Sequence, residues 1–131
     1  MDKQAALMQL RNAKSAMLRW REYARHHSVS GSAIGSKGVP PAKHTECHFG
    51  AWFHGSGTDL LGHLPEFCAI RDTHSELHQI HVQIHHHLLS DEIEYAKQQW
   101  KNFSDIFHRM IDDIISLEKR LEQQLHLQAA A

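Results

Sequence analysis

The sequence predicts an all-α fold, an antiparallel four-helix bundle with an extra short helix, in a single domain spanning residues 1–131. Three observations predict it. Apolar residues recur at alternating steps of three and four over three long stretches, which keeps one stripe of a helix against a core. No stretch alternates apolar and polar residues with the period of a strand. The helix breakers are confined between those stretches: all 7 glycines and 3 prolines lie from Gly31 to Pro65.

The first helix is expected from Asp2 to His27. Its seam is Ala6, Leu10, Ala13, Met17, Trp20 and Ala24, with Arg11, Lys14, Arg19 and Arg21 on the outer face. Ser28 to Pro41 is rich in serine, glycine and proline and reads as a flexible linker between this helix and the next motif. Such a linker is long for a compact domain, so it either crosses the bundle or lets neighbouring chains exchange elements. His44 to Phe53 is compact and aromatic, and reads as one or two helical turns ending at Gly55-Ser56-Gly57. A weakly periodic piece from Thr58 leads to Pro65, well placed in a first helical turn, where its missing N–H costs nothing. The helix that follows has the seam Phe67, Ile70, His74, Leu77, His81, Ile84 and Leu88. Ser90, followed by Asp91 and Glu92, reads as the N-cap of the last helix with acidic first-turn residues. That helix has the clearest heptads: Ile93, Ala96, Trp100, Phe103, Phe107, Met110, Ile114, Leu117 and Leu121. It is expected to reach about Leu127, roughly 50 Å from its start.

Composition narrows the function. Lys and Arg number 14 against 15 Asp and Glu, a net charge of −1, which excludes a nucleic-acid clamp built on excess cations. No run is apolar enough to span a membrane, and Met1 to Gln9 lacks the features of a signal peptide. Two cysteines are too few for a disulfide framework, so a cytoplasmic location is expected. The outlier is histidine, 14 of 131 residues, which directs attention to metal binding or pH sensing.

Histidines concentrate on the penultimate helix. His74/His78 and His81/His85 are both H-x-x-x-H pairs, one helical turn apart, within reach of a shared metal. His74 lies on the seam, where a buried imidazole needs a partner. His81, His85, His86 and His87 are expected to be solvated or hydrogen-bonded, the ordinary state of a histidine side chain. Cys47 adds the soft ligand that zinc favours. Cys68, six residues before His74, sits on another face and is expected to be a small, half-buried residue.

The run Cys47-His48-Phe49-Gly50-Ala51-Trp52 fits C-x-[FL]-G-x-W. Preceded by a long helix and followed by H-x-x-x-H on another, it resembles the bacterial chemoreceptor zinc-binding (CZB) domain over essentially the whole chain. The resemblance implies one zinc held by three histidines and a cysteine inside a helical bundle. Cys47, His74 and His78 match three of those ligands, and Gly50 and Trp52 match structural positions. The fourth does not match: the family's first-helix histidine stands three residues before a tryptophan, and here Met17 stands three before Trp20. A thioether is a poor zinc ligand. Four outcomes are compatible with this ligand inventory: zinc on three protein ligands with water in the fourth position, substitution by His44, copper in place of zinc, or loss of metal with Met17 filling the core.

Catalysis is not expected. H-S-E-L-H is not H-E-x-x-H, Glu76 points away from the histidine pair, and the seams lack the Glu-x-x-His of di-iron bundles. The resemblance implies instead a sensory domain that signals through zinc occupancy or oxidation of its cysteine. Its expected partners are a second copy of itself, with Trp100, Phe103 and Phe107 near the shared core, and a chemotaxis or cyclic-di-GMP signalling protein. The alternative is a metal-independent dimerisation or adaptor module with a degenerate site.

Overall fold

A computed structural model describes residues 3–29 and 48–130. Every regular element among the described residues is helical. Helix α1, Lys3–Val29, contains no glycine or proline and is rich in alanine, leucine, arginine and lysine, all good helix formers. It takes in Ser28 and Val29, the first two residues of the expected linker; the rest of that linker, with His44 and Cys47, lies outside the described residues.

Helix α2, His48–Trp52, runs on through a π-helical turn at Phe53–Gly57 into helix α3, Thr58–Leu61. The stop expected at Gly55-Ser56-Gly57 is instead a kink. Gly55, at φ −107° and ψ −109°, leaves the helical basin, and the Thr58 hydroxyl donates to the Phe53 carbonyl at 2.7 Å across the bend. Gly57 is buried where a Cβ would stand 3.1 Å from the Trp52 carbonyl oxygen and 3.3 Å from the Phe67 ring. Both glycines therefore serve a change of direction and a close approach rather than a helix end.

Helix α4, Pro65–Leu89, begins as expected with proline in its first turn, and Leu64 before it is extended at φ −89°, ψ 132°, as the proline ring demands. Its other end corrects the sequence reading. Ser90 is the C-cap of α4, not the N-cap of the next helix. Asp91 takes the left-handed conformation at φ 57°. The Glu92 amide then donates to the His87 carbonyl at 2.7 Å and the Asp91 amide to Leu88 at 3.2 Å, closing a Schellman-type turn. Aspartate is among the few residues that tolerate this conformation. Helix α5, Ile93–Ala130, has 38 residues and is about 57 Å long.

Three long helices thus carry the fold. Helix α5 runs against α4: Glu66 at the start of α4 meets Arg120 late in α5, and His87 at its end stacks on Tyr95 early in α5. It also runs against α1, since Arg11 meets Glu122 while Trp20 meets Phe103. Helices α1 and α4 are therefore parallel. Their seams close on one core containing Leu10, Met17, Ile70, Leu77, Ile84, Met110, Ile114 and Leu117, with Phe49 and Phe53 of the α2 region at its edge. The seam of α4 is buried throughout, whereas Ile93, the first residue of α5, is exposed and Trp100 half-buried. Phe103 and Phe107 are covered within the chain itself, by Trp20 and by the Arg21 guanidinium 5.3 Å above the Phe107 ring. No described helix is long and apolar enough to cross a membrane.

Candidate metal centre

His74 and His78 are brought together as expected. Both are buried, at 0% and 3% exposure, and their ring centroids are 4.7 Å apart at an interplanar angle of 79°. One helical turn separates them on α4, and the sequence places apolar Ile70 and Leu77 beside them, so the core draws both imidazoles inward.

Aromatic side chains from α1, α2 and the π-helical turn wall the pair. Trp20 of α1 stacks on His78 with centroids 4.7 Å apart and meets His81 edge-on at 5.5 Å. Phe49 of α2 lies 4.8 Å from His74, and Phe53 lies 6.4 Å from it while stacking on Phe67 at 4.1 Å. The Trp52 indole N–H donates to the Gln9 side chain at 2.9 Å, tying α2 to α1. Phe49 is the second residue after Cys47, so the motif reaches His74 through this ring. Cys47 itself is outside the described residues.

Met17 is buried at 1% exposure in the same core as Phe49, Ile70 and Leu77. Trp20 lies opposite His78. Met17 is three residues back along α1 and His74 four back along α4, retreats of about 4.5 and 6 Å on parallel axes. Met17 therefore comes level with His74. Among the described residues, no three His, Cys, Asp or Glu side chains converge on one point. The described donors fit zinc chemistry as far as they go: two neighbouring imidazoles in a site walled by aromatic rings.

His81 is buried at 1% exposure, as its seam position predicts, and His85 is buried at 7%, so of the two expected states, solvated or hydrogen-bonded, neither ring takes the solvated one. Their positions continue the stripe of His74 and His78 by steps of three and four, a signal present in the sequence. His86 is exposed and His87 half-buried, its ring 3.4 Å from the Glu92 carboxylate, in line with the expected solvated or hydrogen-bonded state. Cys68 behaves as expected, half-buried with its thiol donating to the Gly62 carbonyl at 3.4 Å. It borders a separate cavity of about 250 Å³ with His54, Thr58 and Arg71, away from the histidine pair. Glu76 is exposed.

No protein-family model matches the chain, and no curated protein or solved structure matches it. What the centre can do follows from its own residues.

Proposed function

We propose that this chain is a zinc-binding regulatory domain similar to the chemoreceptor zinc-binding type, an antiparallel four-helix bundle in which the short helices α2 and α3 stand in the fourth place. The observation that supports this reading is the buried His74/His78 pair, its rings 4.7 Å apart, packed against Phe49 of the cysteine motif and Trp20 of α1. Cys47, His74 and His78 are the proposed zinc ligands, and Met17 occupies the position of the fourth. Zinc, when bound, holds the Cys47 sulfur as a thiolate.

In this reading the domain responds in two ways. Loss of the ion unties the segment before α2 from α4. A hydroperoxide does the same when the thiolate takes its terminal oxygen, the O–O bond breaks, an alcohol or water leaves, and the sulfenic acid that forms is a poorer ligand. The bundle's changed packing is then read by a partner, a chemotaxis or cyclic-di-GMP signalling protein, with a homodimer as the working unit in the cytoplasm. Binding of nucleic acid and enzymatic turnover form no part of the proposal.

The test is the zinc content of protein purified without added metal. Up to one zinc per chain is expected, lost in Cys47→Ala and in His78→Ala, and lost as pH falls through the histidine range because the ligands must be unprotonated. Stoichiometric zinc in purified Cys47→Ala overturns the reading. Light scattering at micromolar concentration tests the dimer, and a monomer mass removes it. One observation favours the adaptor reading as the second choice: Met17 is buried in the core at 1% exposure, as a packing residue is. A folded dimer that carries no zinc and gains no stability from it supports that alternative.

A further inference from the structure

The cavity beside Cys68 takes no part in the proposed zinc site. It holds about 250 Å³ and forms where the π-helical turn and α3 fold over the first turns of α4. Phe67 and Cys68 stand four and three residues before Arg71, so the three share one edge of α4 and all line the cavity. Facing them are Phe53 and His54, just before the kink at Gly55. The wall is fixed by its own contacts. Phe53 stacks on Phe67 with centroids 4.1 Å apart and planes 6° from parallel, and His54 meets Phe53 edge-on at 5.3 Å. The Thr58 hydroxyl donates to the Phe53 carbonyl at 2.7 Å and the Cys68 thiol to the Gly62 carbonyl at 3.4 Å, so both donors are already committed.

The charge is one-sided. Among the described residues no carboxylate lines the cavity, and Arg71, which does line it, forms no ion pair with any of them. Arg11, Arg25 and Arg120 each meet a glutamate. We propose that this cavity binds a small monocarboxylate, its carboxylate on Arg71 and its apolar body against Phe53 and Phe67. The guanidinium fork matches the two oxygens of a carboxylate, and the His54 ring can add a further N–H. Aromatic walls favour an organic acid over inorganic phosphate. At about 30 Å³ of liquid volume for a water-sized group, the space admits roughly eight or nine non-hydrogen atoms. Bound there, the ligand bridges the turn that carries Phe53 to α4.

The test uses benzoate as the probe, with benzamide as its neutral counterpart. The full chain carries Cys47→Ala, which leaves Cys68 as its single thiol and makes the result independent of the zinc site. In a heteronuclear NMR titration benzoate should move the amide signals of Thr58, Gly62 and Cys68. It should bind at least tenfold more tightly than benzamide or inorganic phosphate. Arg71→Gln should weaken it by about tenfold, since a charge-assisted contact is lost. Arg109→Gln, on the exposed surface of α5, should leave it unchanged. Benzoate should also slow alkylation of Cys68 by iodoacetamide several-fold, and do so much less at the same concentration in Arg71→Gln. Equal affinity for benzoate and benzamide, unchanged binding in Arg71→Gln, shifts centred elsewhere, or an alkylation rate indifferent to benzoate overturns the proposal. Phosphate bound as tightly as benzoate overturns it equally.

Discussion

Met17→His gives the sharpest test of the metal centre because its sign depends on zinc. Met17 is buried at 1% exposure and comes level with His74, so the new imidazole enters the core with little change in volume. In chelator the ring replaces an apolar thioether, and burying a polar group there costs about 1–3 kcal/mol. For a chain of this size that lowers the melting temperature by roughly 3–10 °C. In zinc the same ring becomes a ligand. A tenfold gain in affinity adds about 1.4 kcal/mol to what zinc already contributes to the folded state. The zinc-dependent rise in melting temperature should therefore exceed the parent's by roughly 5 °C. Paired thermal scans in zinc and in chelator read this directly, with dye competition as the affinity measurement. If the variant is destabilised equally in both conditions, position 17 does not face the zinc ligands, and the register argued from Trp20 and His78 is wrong.

Leu77→Ala empties a fully buried seam position on α4 and should cost about 2–5 kcal/mol in urea unfolding; a loss under 1 kcal/mol shows that the α4 seam is not the core. Glu66 receives two contacts of 2.7 Å from the Arg120 guanidinium, which holds its carboxyl below the usual range. Its contribution is thus present at neutral pH and fades as pH falls through that lowered value. Because the pair is partly exposed, Glu66→Gln should cost only about 0.5 kcal/mol at pH 7 and nothing in strong acid; a cost that grows on acidification contradicts the sign. Asp113 is the opposite case, pushed up by burial and by Asp112 beside it, so its ionisation works against folding. Asp113→Asn should stabilise the protein above the carboxylate range and lose that advantage below it, as chemical denaturation at two pH values will show.

The three long helices were legible because each buries a stripe that repeats every seven residues, a pattern few competing structures produce. Met17, Ile70, His74, Ile114 and Leu117 all occupy the core positions that the spacing assigns. Proline at the start of α4 was equally plain. The path from Phe53 to Leu61 was not, because Gly55 and Gly57 look like helix stops when their actual purpose depends on how near Phe67 and Trp52 come. Ser90 misled for a related reason: serine before two acids suits either helix end, and only the left-handed Asp91 decides. The burial of His81 was written in the seam, while that of His85, four residues on, depends on how closely α1 and α5 flank that face. Trp20 against His78 joins helices distant in sequence, a pairing that spacing within one helix cannot supply.

The tight turn at Ser90–Glu92 has a consequence for the order in which the molecule comes apart. Helices α4 and α5 share the most extensive interface among the described residues and are joined by three residues, so they form a locally encoded unit with little loop entropy to lose. Helix α1 reaches that unit mainly through α5, held by its buried seam of Leu7, Leu10 and Met17 and, at its edge, by Arg11 and Lys14 against Glu118 and Glu122. Such an arrangement yields two cooperative units of unequal stability rather than one. Amide exchange should be faster in α1 than in the hairpin, at a free energy below that of global unfolding. The histidine stripe belongs entirely to the durable unit, and its Trp20 cover to the labile one. A brief excursion of α1 would uncover His78 while leaving every histidine of the stripe in register, a gate whose threshold is set by the buried α1 seam of Leu7, Leu10 and Met17 rather than by the stability of the whole.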